Sequence, residues 1–268
     1  MFNGRLDKYL YICKTRMIRS FTYKFEVYGN ILMQSIIMIT TAFFWKALFG
    51  NETFENGVTA DSMMTYTVMS SALSVLFTTG VERRIQQSVE KGSIATDMMR
   101  PVNVFGIFLA EDIGNLIALL VQNLLPILLI GSLLIKVPTI VSLSAIPMFV
   151  ASLLLSMAIN WLLAAIFGMW AFTAISMDAL FQVKKHLIRL LSGSIIPIWF
   201  FPDWLADILN LLPFVYIYQL PLDIYIGSAT NDEICRRMLI QLVWALLLVA
   251  LFYLLSKKVL KRVMVQGG

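Results

Sequence analysis

Long uncharged runs separate short charged segments along most of this chain. A helix rises 1.5 Å per residue, so about 20 residues are needed to cross the ~30 Å hydrocarbon layer of a membrane. Five runs have about that length, and they predict membrane-spanning helices at 27–45, 62–81, 113–135, about 147–171 and 238–256. The fourth is cut from a longer uncharged stretch, because Pro138 and Pro147 punctuate its beginning.

One further span, the fifth in chain order, is irregular. Its uncharged run, 190–202, is too short to cross a membrane alone, and it follows a cluster of basic residues, Lys184, Lys185, His186 and Arg189. A helix beginning near Asp178 reaches across if these cations snorkel to the inner interface or face a wet cavity. The next segment, 202–227, is apolar but broken by Pro213 and Pro221, which predicts re-entrant helices in the outer leaflet.

Composition supports a membrane protein and excludes an ordinary soluble enzyme. Apolar residues make up 59% of the chain and charged residues 14%, with a mean hydropathy of +0.80. The predicted segments place 17 Lys and Arg on one side and 4 on the other, so both termini are expected in the cytoplasm. The net charge of +5 therefore indicates topology rather than nucleic-acid binding, and Arg236 and Arg237 are its discordant pair.

The predicted fold class is an all-α polytopic membrane protein, with six transmembrane helices in one domain over 1–268. The N-terminal arm, 1–26, predicts an interfacial amphipathic helix, since apolar and basic residues occupy different faces. This helix either rests on anionic lipid headgroups or forms a docking surface for a cytoplasmic subunit. Cys13 and Cys235 are expected on opposite sides of the membrane and unpaired.

Motifs for chemistry are mostly missing from the sequence. It has no phosphate-binding loop of the Gly-x-x-x-x-Gly-Lys-Ser/Thr type, so we expect neither a catalytic site nor a cofactor site in this chain. His186 has no second His or Cys at ligand spacing, which predicts no metal site. Energy for any transport would have to come from a partner.

Polar side chains form stripes along several predicted spans. Small hydroxyl residues in such stripes usually mediate close helix packing, whereas larger polar groups are costlier in lipid and indicate a wet interior. The pattern leaves both interpretations open. The candidates for a translocation path are Glu111, Asn115, Gln122, Asn160 and Arg189. Arg189 is expected to face the cavity, to pair with Glu111 or Asp112, or merely to snorkel to headgroups.

The segment 82–104 is longer and more amphipathic than a minimal connection between helices. It predicts a short helix carrying an exposed Met98-Met99 pair. Such a segment is either an ordinary solvated loop or a helix that fits a partner's groove.

A series of short motifs lies in a definite order along the chain, from this segment to the start of the last span. They are Gly92-Ser93-Ile94, Met99-Arg100-Pro101, Ser192-Gly193, Pro197, Phe201-Pro202, Pro213-Phe214, Tyr218, Pro221, Tyr225 and Gly227. With six spans and both ends inside, this order resembles the type-2 permease family of ATP-binding-cassette exporters, over almost the whole chain. It is most similar to the bacterial branch in which two unlike permeases are often paired with one ATPase.

The resemblance implies a coupling helix between the second and third spans, with Gly92, Arg100 and Pro101 matching the family pattern. It also implies a nucleotide-binding ATPase partner that carries the ATP and Mg, and a second permease, like or unlike, with a heterodimer favoured. The location would be the bacterial cytoplasmic membrane. A non-transport scaffold, assembly or immunity factor is the alternative, since a fold does not fix a function.

Overall fold

Helix is the only regular structure in the described part of the chain. The computed structural model describes residues 4–22, 24–49, 59–99, 102–135, 142–172 and 177–266. Its α-helices are α1 Gly4–Ser20, α2 Lys24–Phe49, α3 Ala60–Leu76, α4 Val81–Glu90, α5 Ser93–Met98, α6 Val104–Leu119, α7 Leu125–Leu134, α8 Ile146–Gly168, α9 Asp178–Leu191, α10 Asp203–Asn210, α11 Val215–Ile226 and α12 Asn231–Gln266. A π-helical turn, Leu120–Leu124, joins α6 to α7.

Five helical stretches within these ranges are long and apolar enough to cross a membrane. They are Val27–Phe49, Ala60–Glu90, Val104–Leu134, Leu143–Phe172 and Asn231–Lys261. Each of the five predicted uncharged runs overlaps one of them. Several extend well past the uncharged run, because charged residues continue a helix readily once it leaves the hydrocarbon.

The predicted fifth span differs from the observed structure. Its helix, α9, begins at Asp178 as expected but ends at Leu191, and its 14 residues span only about 21 Å. The chain turns there because Gly193 adopts φ +82°, a left-handed conformation that ends a helix. Over the predicted re-entrant segment, α10 and α11 form a pair bent by 105°, and counting this pair as one span raises the total to six.

The centre of the bundle is occupied by α11. All ten residues from 215 to 224 are buried, and the helix packs against α3, α8 and α12. At its middle, the rings of Tyr218 and Phe77 meet edge to face with centroids 4.7 Å apart. The second helix of the bent pair, α11, therefore fills the core of this chain, whereas α10 buries only Leu209.

The N-terminal helix α1 packs along α6. Glycine permits this close approach, since a Cβ on Gly114 would lie 2.2 Å from the carbonyl oxygen of Cys13. Further along the pair, Ser20 Oγ donates to Asn115 Oδ1 at 3.0 Å. An apolar row on α1 and the turn after it stays exposed and comprises Leu6, Leu10, Tyr11, Ile18 and Phe21.

Candidate functional site

Two distant side chains fix the break between α3 and α4. Helix ends leave backbone groups without intrahelical partners, and here other helices supply those partners. Asn160 Nδ2, on α8, donates to the carbonyl oxygen of Phe77 at 2.8 Å. The backbone N–H of Gly80 donates to Asp112 Oδ1, on α6, at 3.1 Å. The end of α3 is therefore held by α8, and the start of α4 is held by α6.

A partly buried ionic group lies beside this break, and we call its four residues, Arg84, Glu111, Asp112 and Trp161, the Arg84 cluster. The Arg84 guanidinium contacts Asp112 Oδ1, and its Nε lies 3.3 Å from Glu111 Oε2. Trp161 Nε1 donates to the other Asp112 oxygen at 3.0 Å. Asp112 is only 8% exposed, so these partners are what make its charge tolerable.

A second ion pair links α4 to α9. Lys184 Nζ contacts Glu82 Oε2, and the two side chains are 8% and 14% exposed. The first turn of α4 is thus tied by charge to α9 as well as to α6. A buried pair of this kind holds two helices in register, because separating it leaves an uncompensated charge.

The apolar face of the α4–α5 segment, residues 81–99, packs onto the bundle. Val81, Ile85 and Ile94 of the segment are buried. They pack against side chains of α6, of α8 and of the 3₁₀ turn that follows α8, namely Val104, Phe105, Phe108, Ala164, Ala165 and Met169.

The far side of the segment is open. Gly92 sits between α4 and α5 at φ +67°, and a Cβ added to it would have no other atom within 4 Å. Met99, at the end of the segment, is 84% exposed. We call the open part of the segment, with Gly92 and Met99, its tip, and the part that contacts other helices through Glu82 and Arg84 its base.

Of the three coupling residues predicted from the sequence, the structure describes one. Gly92 lies at the turn between α4 and α5, while Arg100 and Pro101 lie outside the described residues.

Glu111 and Asp112 were named from the sequence as candidates for an ion pair, but Arg84 was missed as their partner, and so was the Glu82–Lys184 pair. The only available signal was that these charges flank predicted spans, and of them only Arg84 and Lys184 entered the topology count.

The predicted path residues divide into two groups. Glu111, Asn115 and Asn160 are engaged within the fold, by Arg84, Ser20 and the Phe77 carbonyl respectively. Gln122 is half-buried in the π-helical turn, and Arg189 is half-exposed. The place of these five residues on a translocation path stays a prediction.

Arg189 is not the ionic partner of Glu111 or Asp112 in the described residues. Arg84 takes that place, because it projects from α4 directly beside the start of α6. Sequence reasoning also missed Asn123, which the π-helical turn buries to 6% exposure beside Gln122. Such a turn inserts one extra residue and so rotates which side chain points inward.

A buried polar network lies at the opposite end of the bundle. Asp223 of α11 pairs with Arg237 of α12 at 2.6 Å and accepts hydrogen bonds from Gln219 at 2.7 Å and Ser228 at 3.0 Å. Gln219 in turn accepts a bond from the Tyr66 hydroxyl at 3.1 Å. The discordant Arg237 of the charge count is therefore the counter-ion of a buried carboxylate.

The hydroxyl stripe of α8 serves packing. Ser156 Oγ donates to the carbonyl oxygen of Tyr216 at 2.8 Å, and Gln241 Nε2 donates to the carbonyl oxygens of Ser152 and Tyr216 at 2.9 Å. These bonds join α8, α11 and α12.

No group of three or more potential metal ligands occurs in the described part of the chain.

Comparison with known families gives one match. The family model described as ABC-2 family transporter protein matches residues 35–267, from the first half of α2 to the end of α12. The comparison with curated proteins gives no match. Proteins of the ABC-2 permease family are transmembrane components that normally work with a nucleotide-binding ATPase subunit. Since the match covers most of the sequence and several helices long enough to span a membrane, the chain belongs to the ABC-2 transporter family.

Proposed function

We propose that this chain is the membrane-spanning permease subunit of an ATP-driven exporter and that a separate cytoplasmic ATPase binds the tip of the α4–α5 segment. The observation that carries the proposal is the contrast within that segment. Its tip, with Gly92 and Met99, is exposed, whereas its base is tied to α6, α8 and α9. Force applied at such a tip reaches three helices directly.

In this mechanism, ATP and Mg bind to the partner, and this chain supplies the mechanical response. Closure of an ATPase dimer displaces the tip. The Arg84 cluster carries the displacement to α6 and α8, and the Glu82–Lys184 pair carries it to α9. Relative movement of these helices alternates the side of the membrane from which cargo is reached.

The proposal includes a second permease, like or unlike, with a heterodimer favoured. Because α11 fills the centre of this bundle, a passage needs a wall from another subunit. The asymmetry of 17 against 4 basic residues supports a bacterial cytoplasmic membrane location with both termini inside. Membrane lipids cover the remaining apolar surface, and no nucleic-acid partner is proposed.

Copurification and coupled hydrolysis test the proposal. The purified chain alone should hydrolyse no ATP, and a complex with its ATPase should hydrolyse ATP faster when cargo is present. Arg100→Glu, or Gly92→Val at a left-handed position, should leave insertion intact while uncoupling hydrolysis from transport. Gly29→Val, at an open and exposed helical position, is the control. A chain that binds no ATPase would favour the scaffold, assembly or immunity alternative.

A further inference from the structure

The helix α9 has three distinct faces. One is buried and contains Phe181, Lys184 and Ile188. A second is apolar and exposed, with Val183, Leu187 and Leu190 between 47% and 53% accessible. The third is polar, is spaced as one helical face, and comprises Gln182, Lys185, His186 and Arg189. Its first three members are exposed and Arg189 is half-exposed.

Two contacts give the depth of this polar face. Lys184 meets Glu82 just beyond the end of α3, and the carbonyl oxygen of Ser194 accepts a bond from Ser70, inside α3, at 2.6 Å. The intervening residues therefore run beside the last turns of α3, which belongs to a candidate membrane span. Arg189 lies about 7.5 Å beyond Lys184 along the helix. The face therefore lies beside the end of the uncharged run 62–81, where the apolar part of that predicted span gives way to charged residues.

Within the ranges that the structure describes, the polar face has no anionic partner. Among the residues that the structure describes, the side chains of Lys185, His186 and Arg189 make no ion pair. Lys184, their neighbour, does have one, with Glu82. An unpaired cation beside hydrocarbon is costly, so this face requires an anion or water opposite it.

We propose that this face of α9 is a binding site for an anionic amphiphile drawn from the membrane. Lys185 and Arg189 attract its charged headgroup, and Gln182 and His186 offer hydrogen bonds to it. Its apolar chain lies along the neighbouring row of Val183, Leu187 and Leu190. The juxtaposition of a cationic row and an apolar row on one helix matches the two parts of such a molecule.

The amphiphile is cargo rather than a structural lipid, and this assignment rests on the proposed function. The buried side of the same helix is tied through Lys184 to Glu82 on α4, the helix that receives the ATPase's movement in that proposal. Movement of α4 therefore changes the position of the binding face relative to α3.

The binding test uses the full chain in phosphatidylcholine nanodiscs containing a small fraction of photo-crosslinkable phosphatidylglycerol. Lys185→Gln with Arg189→Gln should reduce crosslinking to α9 by at least about tenfold, because two cations near the headgroup are lost. The control is Lys8→Gln with Lys14→Gln, two exposed cations on α1, and should leave α9 crosslinking unchanged. Lysophosphatidylglycerol should compete, whereas inorganic phosphate should not.

Equal crosslinking in the α9 variant and the parent would overturn the site, and competition by phosphate alone would overturn the amphiphile. The cargo role is measured in the complex with the ATPase, where phosphatidylglycerol should stimulate hydrolysis by the parent but not by the variant. Binding without stimulation would overturn that role. Since the binding test needs no ATPase, its failure is distinct from failure of the complex to form.

Discussion

Asp112 illustrates how buried charges are satisfied at the scale of single residues. Its partners Arg84, Gly80 and Trp161 lie 28, 32 and 49 positions away in the sequence. The predicted third span, 113–135, begins one residue after this carboxylate, whereas its helix α6 already begins at Val104. The sequence could not predict the partners, because they are brought together only when α4 and α8 pack against α6. A local pattern carries no such information.

Asp112→Asn should lower the free energy of unfolding by about 3 kcal/mol, since breaking a buried ion pair leaves Arg84 undercompensated. Thermal unfolding in detergent would measure the change. Asp7→Asn, at an exposed position of α1, should change stability by less than about 0.5 kcal/mol. Equal melting of the two variants would show that the Arg84 cluster contributes nothing to stability.

The two adjacent arginines at the start of α12 should behave differently. Arg237→Gln leaves Asp223 buried without its counter-ion and should cost about 3 kcal/mol of stability, whereas exposed Arg236→Gln should cost less than about 0.5 kcal/mol. The double variant Asp223→Asn with Arg237→Gln should lose less than the sum of its single losses. Strictly additive losses in chemical unfolding would contradict a direct pair.

At the scale of elements, uncharged runs of sufficient length predicted where most spans lie but not where their helices end. The fourth run, 147–171, begins within α8 and ends in the 3₁₀ turn that follows it, and the last run, 238–256, lies inside the much longer α12. The end of α9 was missed, since it depends on Gly193, where a Cβ would lie 2.2 Å from Gln219 Oε1. The π-helical turn was missed too, because it follows from packing against α2 and α3.

The packing of α1 on α6 depends on a glycine in the same way. Gly114→Ala should push α1 away from α6, since the added Cβ meets the Cys13 carbonyl oxygen, at a cost of about 1–3 kcal/mol. The rate at which a water-soluble thiol reagent labels Cys13 should rise several-fold, measured in a Cys235→Ser background. Gly29→Ala, with open space around its Cα, should leave the rate unchanged. An unchanged rate in both variants would exclude the close approach.

At the scale of the whole molecule, two polar assemblies sit at opposite ends of a bundle whose centre is α11. The amphipathic character of 82–104 predicted where the exposed segment lies, because a charged stretch cannot remain in lipid. Its attachment to α6, α8 and α9 could not be predicted, since the sequence of a span does not show which helices it packs against. The charge count likewise marked Arg237 as anomalous without identifying Asp223 as the reason. Sequence therefore indicates where charges lie along the chain, and packing determines what they hold together.

The Glu82–Lys184 pair offers a test of whether α4 and α9 move as one body during transport. Glu82→Lys places two cations together in a largely buried position and should lower stability by about 3 kcal/mol and transport by at least about tenfold. Lys184→Glu should do the same with two anions. Combining the substitutions restores opposite charges, so the double variant should recover most stability and most cargo-stimulated ATP hydrolysis.

Glu90→Lys, at an exposed position near the end of α4, controls for the added charge. If the double variant regains stability but not coupling, the native orientation of the pair is required for transmission. If both single variants transport normally, force reaches the spans through the Arg84 cluster alone.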